Sequence, residues 1–212
     1  HQYEGASMGV LIVENAQCAG LSESLEAQRR QVEADLRAAF GSKEELEASA
    51  VLEAYGQYYK RFKKTYHVKQ QLESVIFKGK CIPSVTPLVE AMFMAELKNG
   101  LLTAGHDLAQ VQGTLTLDAA NGEETYVLIN GKEQTLKVQD MFLRDDVSVL
   151  SSIIYGPDQR TRIRPETKNV VFTVYAPTGI ARKAVEQHLE DTYSYVRLAA
   201  PQALRREQNV YN

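Results

Sequence analysis

The strongest constraint on this chain's fold is a change of hydrophobic period at Gly113. Before it, apolar residues recur three and four positions apart; after it, they alternate. A helix buries the first pattern on one face, and a strand buries the second. Leu21, Leu25, Val32, Leu36 and Phe40 set a first helix, stopped at Gly41. Ser42 and Glu45 form a capping-box signature for a second, carrying Leu46, Ala50, Ala54 and Tyr58. Val68, Leu72, Val75 and Ile76 mark a third, ended by Gly79. Thr86-Pro87 opens a fourth and Asn99-Gly100 closes it. A loop holding Gly105 and His106-Asp107 follows. One short buried strand, 9–13, precedes these helices.

In the second half, 113–118, 125–129 and 133–138 read as strands, the last two joined by an Asn130-Gly131 hairpin turn. Further strands are expected over 147–155 and 169–176, separated by a Gly156-Pro157-Asp158 turn. Ile180, Ala184, His188 and Val196 lie on a last helix. The tail 201–212, with Arg205-Arg206, offers one way to pack against a partner chain. The fold class is therefore α+β: N-terminal helices, then a mixed, mostly antiparallel sheet, then a closing C-terminal helix. One domain is expected over 1–212, with 14–78 as a helical extension on a 79–200 core. The chain opens on His1 rather than Met, and its first residues are expected to be foreign sequence.

Composition enters by what it excludes. A net charge of −3 over 212 residues argues against a general nucleic-acid coat, though not against a local basic face. Apolar runs are short, Val10-Leu11-Ile12-Val13 being the clearest, so neither a membrane span nor a signal peptide is expected. Cys18 and Cys81 are isolated, which points to a reducing, cytoplasmic setting without structural zinc. No cofactor motif is present and no metal-ligand spacing is recognisable.

The charge is unevenly placed. Residues 21–54 carry eight acidic groups against four basic ones. Residues 60–80 invert this, with Lys60, Arg61, Lys63, Lys64, Lys69, Lys78 and Lys80 opposed only by Glu73. Tyr55, Tyr58, Tyr59, Phe62 and Tyr66 accompany that basic run. Phosphates need such cations and unpaired bases stack on such rings. The same pattern also fits a solvated helix end whose aromatics face the core. A second basic cluster, Arg160, Arg162, Arg164 and Lys168, sits on a turn, and the two could bracket one nucleic acid if the fold unites them.

His106 is the leading candidate for chemistry, since an imidazole beside Asp107 can orient or activate water. Adjacent residues usually point apart, so Asp107 has capping of the following turn as its other reading. His67 and His188 read as surface or core residues. Ser151-Ser152 interrupts an apolar strand, so one hydroxyl must face the buried side or a cavity, bonded to backbone or lining a pocket. Lipase, nucleotidase, dinucleotide and zinc-protease motifs are absent from the sequence.

The stretch from Pro83 to Leu117 resembles the B3/B4 domain of the bacterial phenylalanyl-tRNA synthetase β chain, the module that houses the editing site. Pro87-Leu88-Val89-Glu90 looks like the family's P-L-V-D helix start, and residues 101–107 line up with its G-Q-P-L-H-A-F-D loop. Asp145-Asp146, the strand through Ser151-Ser152 to Gly156, and Glu166-Thr167-x-Asn169-Val170 follow in the family's order. The chain departs from the family at four places. Ala104 stands where the family has its His, with His106 two positions later on the same side of an extended segment. Met92-Phe93 replace a Thr-Asn pair, Ser151-Ser152 an Ala-Gly pair, and Thr173 a carboxylate. An altered amino-acid preference, or no hydrolysis, fits these changes better than tyrosine editing.

The resemblance implies binding of tRNA or aminoacyl-tRNA, with deacylation of mischarged tRNA in trans as the finer expectation. His106 is the expected catalytic residue. Glu90, Thr103, Ser151, Ser152 and Thr173 are the expected pocket walls. Lys60, Arg61, Lys63, Lys64, Arg160 and Arg162 are the expected tRNA contacts. No cofactor, metal, membrane or DNA partner is implied. The competing expectations are a non-catalytic module holding a free amino acid or a partner protein in the same pocket, and a purely structural domain.

Overall fold

The computed structural model describes residues 4–18, 20 and 22–212; His1 and Leu21 lie outside them. Strand β1 (Ser7–Glu14) opens the fold. Helix α1 (Glu23–Ala39) begins where Ser22 Oγ accepts the Leu25 N–H at 3.2 Å. The expected second helix is two, α2 (Lys43–Glu47) and α3 (Ala50–Lys60), broken at Ala48-Ser49. Ser42 caps α2 as expected, but the Glu45 carboxylate reaches back to Gly41 N at 2.7 Å rather than to Ser42. Helix α4 (His67–Lys78) ends at Gly79 and α5 (Pro87–Asn99) ends at Gly100, with φ of 66° and 68°. That left-handed geometry is where glycine carries no Cβ penalty.

Strand β2 (Thr103–Asp107) comes next, and here the sequence expectation fails: His106-Asp107 are in a strand, not a loop. All five of its residues are buried, so no alternation marks it in the sequence. After the 3₁₀ turn Leu108–Gln110 follow β3 (Thr116–Ala119), β4 (Thr125–Val127), β5 (Glu133–Thr135), β6 (Met141–Arg144), β7 (Val149–Ser152) and β8 (Gly156–Pro157). The Asn130-Gly131 hairpin forms between β4 and β5 as read. Strand β6 escaped the sequence reading because Met141, Phe142 and Leu143 are all buried. Strand β9 (Val170–Ala176) and helix α6 (Arg182–Ala199) match expectation. The tail does not: β10 (Leu204–Tyr211) pairs along the whole of β1 within the same chain, from Met8↔Tyr211 to Glu14↔Leu204.

Two four-stranded sheets result, ordered β10-β1-β9-β2 and β3-β6-β7-β8, beside the two-stranded β4-β5 hairpin. Every ladder among the described residues is antiparallel. In the first sheet the registers Ala104↔Thr173, His106↔Val171 and Val10↔Thr173 put these side chains on one face. The second sheet covers part of that face through Ser151. The other face packs on α5 and α6. Gly9 permits this approach, since a Cβ there would lie 2.6 Å from Val185 Cγ1.

The aromatics of α3 and the turn after it tie the helices to the strands. Tyr55, Tyr58, Tyr59, Phe62 and Tyr66 are all buried. Tyr59 donates to Ile153 O at 2.6 Å, Tyr66 to Gly100 O at 2.9 Å and Tyr58 to Asp140 Oδ1 at 2.8 Å. Tyr55 and Tyr66 stack at 4.3 Å, a geometry worth ~0.5–1.5 kcal/mol beyond burial. These rings face the core and offer no platform for bases, so only the cations of this run are left to meet a ligand.

Candidate functional site

Three strands converge on His106. Its ring has no exposed surface and lies between β7 and the segment after β8, where the backbone bridges Arg162. Nδ1 is 2.7 Å from Thr161 Oγ1, and Nε2 is 3.2 Å from Ser151 Oγ. Ser151 Oγ is in turn 2.5 Å from the Tyr175 hydroxyl, and the Thr161 hydroxyl donates to Asp158 Oδ1. Counting donors fixes the protons. Because Thr161 spends its proton on Asp158, it must accept from His106 Nδ1–H. Nε2 then accepts from Ser151, and Ser151 accepts from Tyr175. The result is a buried polar row, Tyr175–Ser151–His106–Thr161–Asp158, with both ring nitrogens committed.

Burial lowers the His106 pKa to about 4, and the nearby Arg160 charge acts in the same direction. The imidazole is therefore neutral at physiological pH and fully buried. The last member of the row reaches a cavity. Asp158 lines a cleft of about 520 Å³ with Arg160, Arg162, Arg164, Tyr126 and Val149. Burial raises the Asp158 pKa, against the pull of its bonds to Thr161 and the charge of Arg160.

Arg160 is anchored. It donates to Asp145 Oδ2 at 2.8 Å, to Ser148 Oγ at 3.1 Å and to Gln110 O. Burial would raise Asp145, but Arg160 and the backbone N–H groups of Gln112, Ser148 and Val147 outweigh it and bring the carboxyl down to about 2. The side chains of Arg162 and Arg164 have no hydrogen-bond or ion-pair partner among the described residues. The Arg164 Nε is buried without an acceptor.

The remaining expected residues are distributed as follows. Thr173 shares the His106 face, next to Ala104, and lines an apolar groove of about 580 Å³ with Met8, Val10, Ile12, Leu115 and Leu143. Thr103 faces the opposite side, where Oγ1 is 2.7 Å from His188 Nε2. Glu90 lies on the α1–α5 seam, bonded to Ser84 and 3.0 Å from Arg29 Nε, in a separate cavity of about 270 Å³. Ser152 accepts the Tyr155 N–H at 3.2 Å. Asp107 caps the 3₁₀ turn through Ala109 N at 3.0 Å, the second of its two readings, and accepts from Thr167. Of the expected pocket, the fold brings together His106 and Ser151, with Thr173 on the same face; Glu90 and Thr103 are elsewhere.

Lys60, Arg61, Lys63 and Lys64 are exposed. Arg61 lies over the Tyr58 and Phe62 rings at 5.1 and 5.5 Å, and Lys64 Nζ lies 4.6 Å over Tyr155. Tyr155 packs against a small apolar cluster that contains Tyr126 and Val149, both of which also line the arginine cleft. Lys64 and the arginine cleft thus border one small cluster of side chains. The sequence reading missed Asp158, Thr161 and Tyr175 as site residues. The Pro157-Asp158 turn was the one local signal for the first of them.

No helix among the described residues is long and apolar enough to cross a membrane. No group of three or more His, Cys, Asp or Glu among them is placed to hold a metal ion.

Comparison with known proteins adds three likenesses. The phenylalanine–tRNA ligase beta subunit of Photorhabdus laumondii subsp. laumondii is 25% identical over 125 residues. That match covers 57% of this chain and 16% of the relative, so the chain spans about a sixth of its length. A crystal structure of an N-terminal fragment of the phenylalanyl-tRNA synthetase beta subunit from Pyrococcus horikoshii superposes with a TM-score of 0.49. The sequences are 14% identical, over 96% of this chain and 46% of that one. The B3/4 domain model matches residues 50–202, from the start of α3 to just past α6, and so takes in the polar row, the arginine cleft and the basic end of α3. By that match the chain belongs to the B3/4 domain family.

Proposed function

We propose that this chain binds tRNA or aminoacyl-tRNA, with 1–212 acting as one unit in the cytoplasm. The observation that carries the reading is that Lys64 and the arginine cleft border the same small apolar cluster. Lys64 covers Tyr155, while Arg162 and Arg164 stand in the cleft walled by Tyr126 and Val149. A phosphate backbone crossing this patch gains cation contacts from both sides, and each contact releases condensed counterions. The name of the Photorhabdus relative, a ligase acting on tRNA, supports the same ligand class.

Charge reversal tests the reading. Lys63→Glu with Lys64→Glu, and separately Arg162→Glu, are each expected to weaken tRNA binding, and the three together to abolish it. Loss from the lysine pair with no effect of Arg162→Glu would mean that the two clusters do not serve one ligand.

A second reading is deacylation of mischarged tRNA in trans, favoured by the polar row running from the cleft wall at Asp158 to His106. His106 does not reach a substrate, so its part is to hold Thr161 and Asp158, and a water at Asp158 is the nucleophile. An aminoacyl ester is already activated, so a positioned water can suffice. A panel of correctly and wrongly charged tRNAs tests this. Hydrolysis confined to one mischarged species supports it; no hydrolysis at high protein concentration leaves the non-catalytic binding module.

A further inference from the structure

Three arginines enter the cleft beside β7, and they are not equivalent. Arg160 is held by Asp145, Ser148 and a backbone carbonyl, so it serves as a fixed wall. Arg162 and Arg164 are held by nothing among the described residues, and Arg164, like Arg160, carries a buried Nε without an acceptor. A charged N–H withheld from water and left unpaired is costly, and an anion placed against it recovers that cost. Neither of the cleft's two carboxylates pairs with Arg162 or Arg164. Asp158 is bonded to Thr161 and to the Arg160 N–H, and Glu133 is exposed on the hairpin.

The other wall is of a different kind. Tyr126 and Val149 belong to the small apolar cluster, and the Tyr126 ring is pinned by its hydroxyl, which donates to Gly156 O at 2.7 Å. Thr125, Val127 and Glu133 of the β4-β5 hairpin close the far side. At about 520 Å³ the space exceeds a phosphate ion and falls in the range of drug-sized ligand pockets.

Resting on the tRNA-binding reading, we infer that this cleft takes one 5′-nucleoside monophosphate unit, its phosphate on Arg162 and Arg164 and its sugar and base against Val127, which is 43% exposed on the hairpin wall. The unit can be the end of a single strand or a free nucleotide; both present the same chemistry. Arginine suits the task because its planar donors match phosphate oxygens in pairs.

Calorimetric titration of the whole chain with AMP, adenosine and inorganic phosphate tests the inference, alongside tRNA binding. AMP is expected to bind at least about tenfold more tightly than either fragment, since each lacks one half of the contacts. Arg162→Gln with Arg164→Gln should remove most of that affinity without lowering Tm, because neither guanidinium has a partner among the described residues. Lys63→Glu with Lys64→Glu should weaken tRNA binding and spare AMP. Phosphate binding as tight as AMP, or AMP binding that survives in the arginine variant, would overturn the inference. Binding of tRNA without AMP would overturn it while leaving the tRNA reading intact. Binding of AMP without tRNA would do the reverse and mark a free-nucleotide pocket.

Discussion

Glu96 on α5 is 2% exposed, and its Oε2 accepts the N–H of Thr103 at 2.9 Å, pinning the start of the strand that carries His106. Burial raises its pKa to about 8 in spite of that bond. The unfolded carboxyl titrates at its ordinary value of 4.5. Between those two pH values the native state holds a proton that the unfolded state has lost. Its stabilising contribution is complete below pH 4.5 and is lost as pH rises through 8, by ~1.4 kcal/mol per unit where the difference is one full proton. His106, His188 and Asp140 do not cross this window. His106 and His188 are lowered to about 4 by burial, so their contribution, which rises with pH, is complete near pH 6.5. Burial raises Asp140 only to about 6.

From pH 6.5 to 8.5, allowing for the taper near pH 8, Glu96 therefore removes about 2 kcal/mol of stability. Glu96→Gln keeps the acceptor for Thr103 and cannot ionise. Urea unfolding of both proteins across this range, with unchanged m-values, is the assay. The difference in stability between the variant and the parent should grow by about 2 kcal/mol in favour of the variant. Parallel curves would show that Glu96 is ionised in the native state at neutral pH and would refute the reasoning.

Three further outcomes are expected. Arg160→Ala leaves Asp145 buried with an uncompensated charge and should destabilise by ~3 kcal/mol in urea, whereas Arg162→Ala, which breaks no internal bond, should stay within about 0.5 kcal/mol. Thr161→Val removes the acceptor of His106 Nδ1–H and the donor to Asp158, a loss of roughly 2–4 kcal/mol, and the His106 nitrogen shifts should report the tautomer freed by it. Gly9→Ala places a methyl 2.6 Å from Val185 and should lower stability by ~1–3 kcal/mol; a neutral effect would show that α6 does not press on β1.

The helical half was legible because its ends carry punctuation. Ser42, Thr86-Pro87, Gly79 and Gly100 each do the capping their residue type suggests. The Asn130-Gly131 turn was legible for the same reason. The reading failed at β2 and β6, where burial on both faces erases alternation, and at β10, where Arg205, Arg206 and Glu207 resemble a solvated tail but line a sheet edge. The failure at β2 misplaced Thr103. Three positions from His106 along a strand, it has to face the other way, whereas Ala104, two positions away, shares the His106 face. The His106–Ser151 contact was reached through the family resemblance. Thr161 and Tyr175 join it from 55 residues and 24 residues away along the chain, distances over which no local pattern carries information.

The most direct test of the tRNA-binding proposal is the dependence of aminoacyl-tRNA affinity on salt. If Lys60, Lys63 and Lys64 each meet a phosphate and Arg162 and Arg164 share a fourth, log K should fall against log salt with a slope of roughly −3 to −4. Arg162→Gln with Arg164→Gln should make that slope about one unit shallower. A flat dependence, or a slope that the arginine substitutions leave unchanged, would contradict the assignment of these two clusters to one nucleic acid.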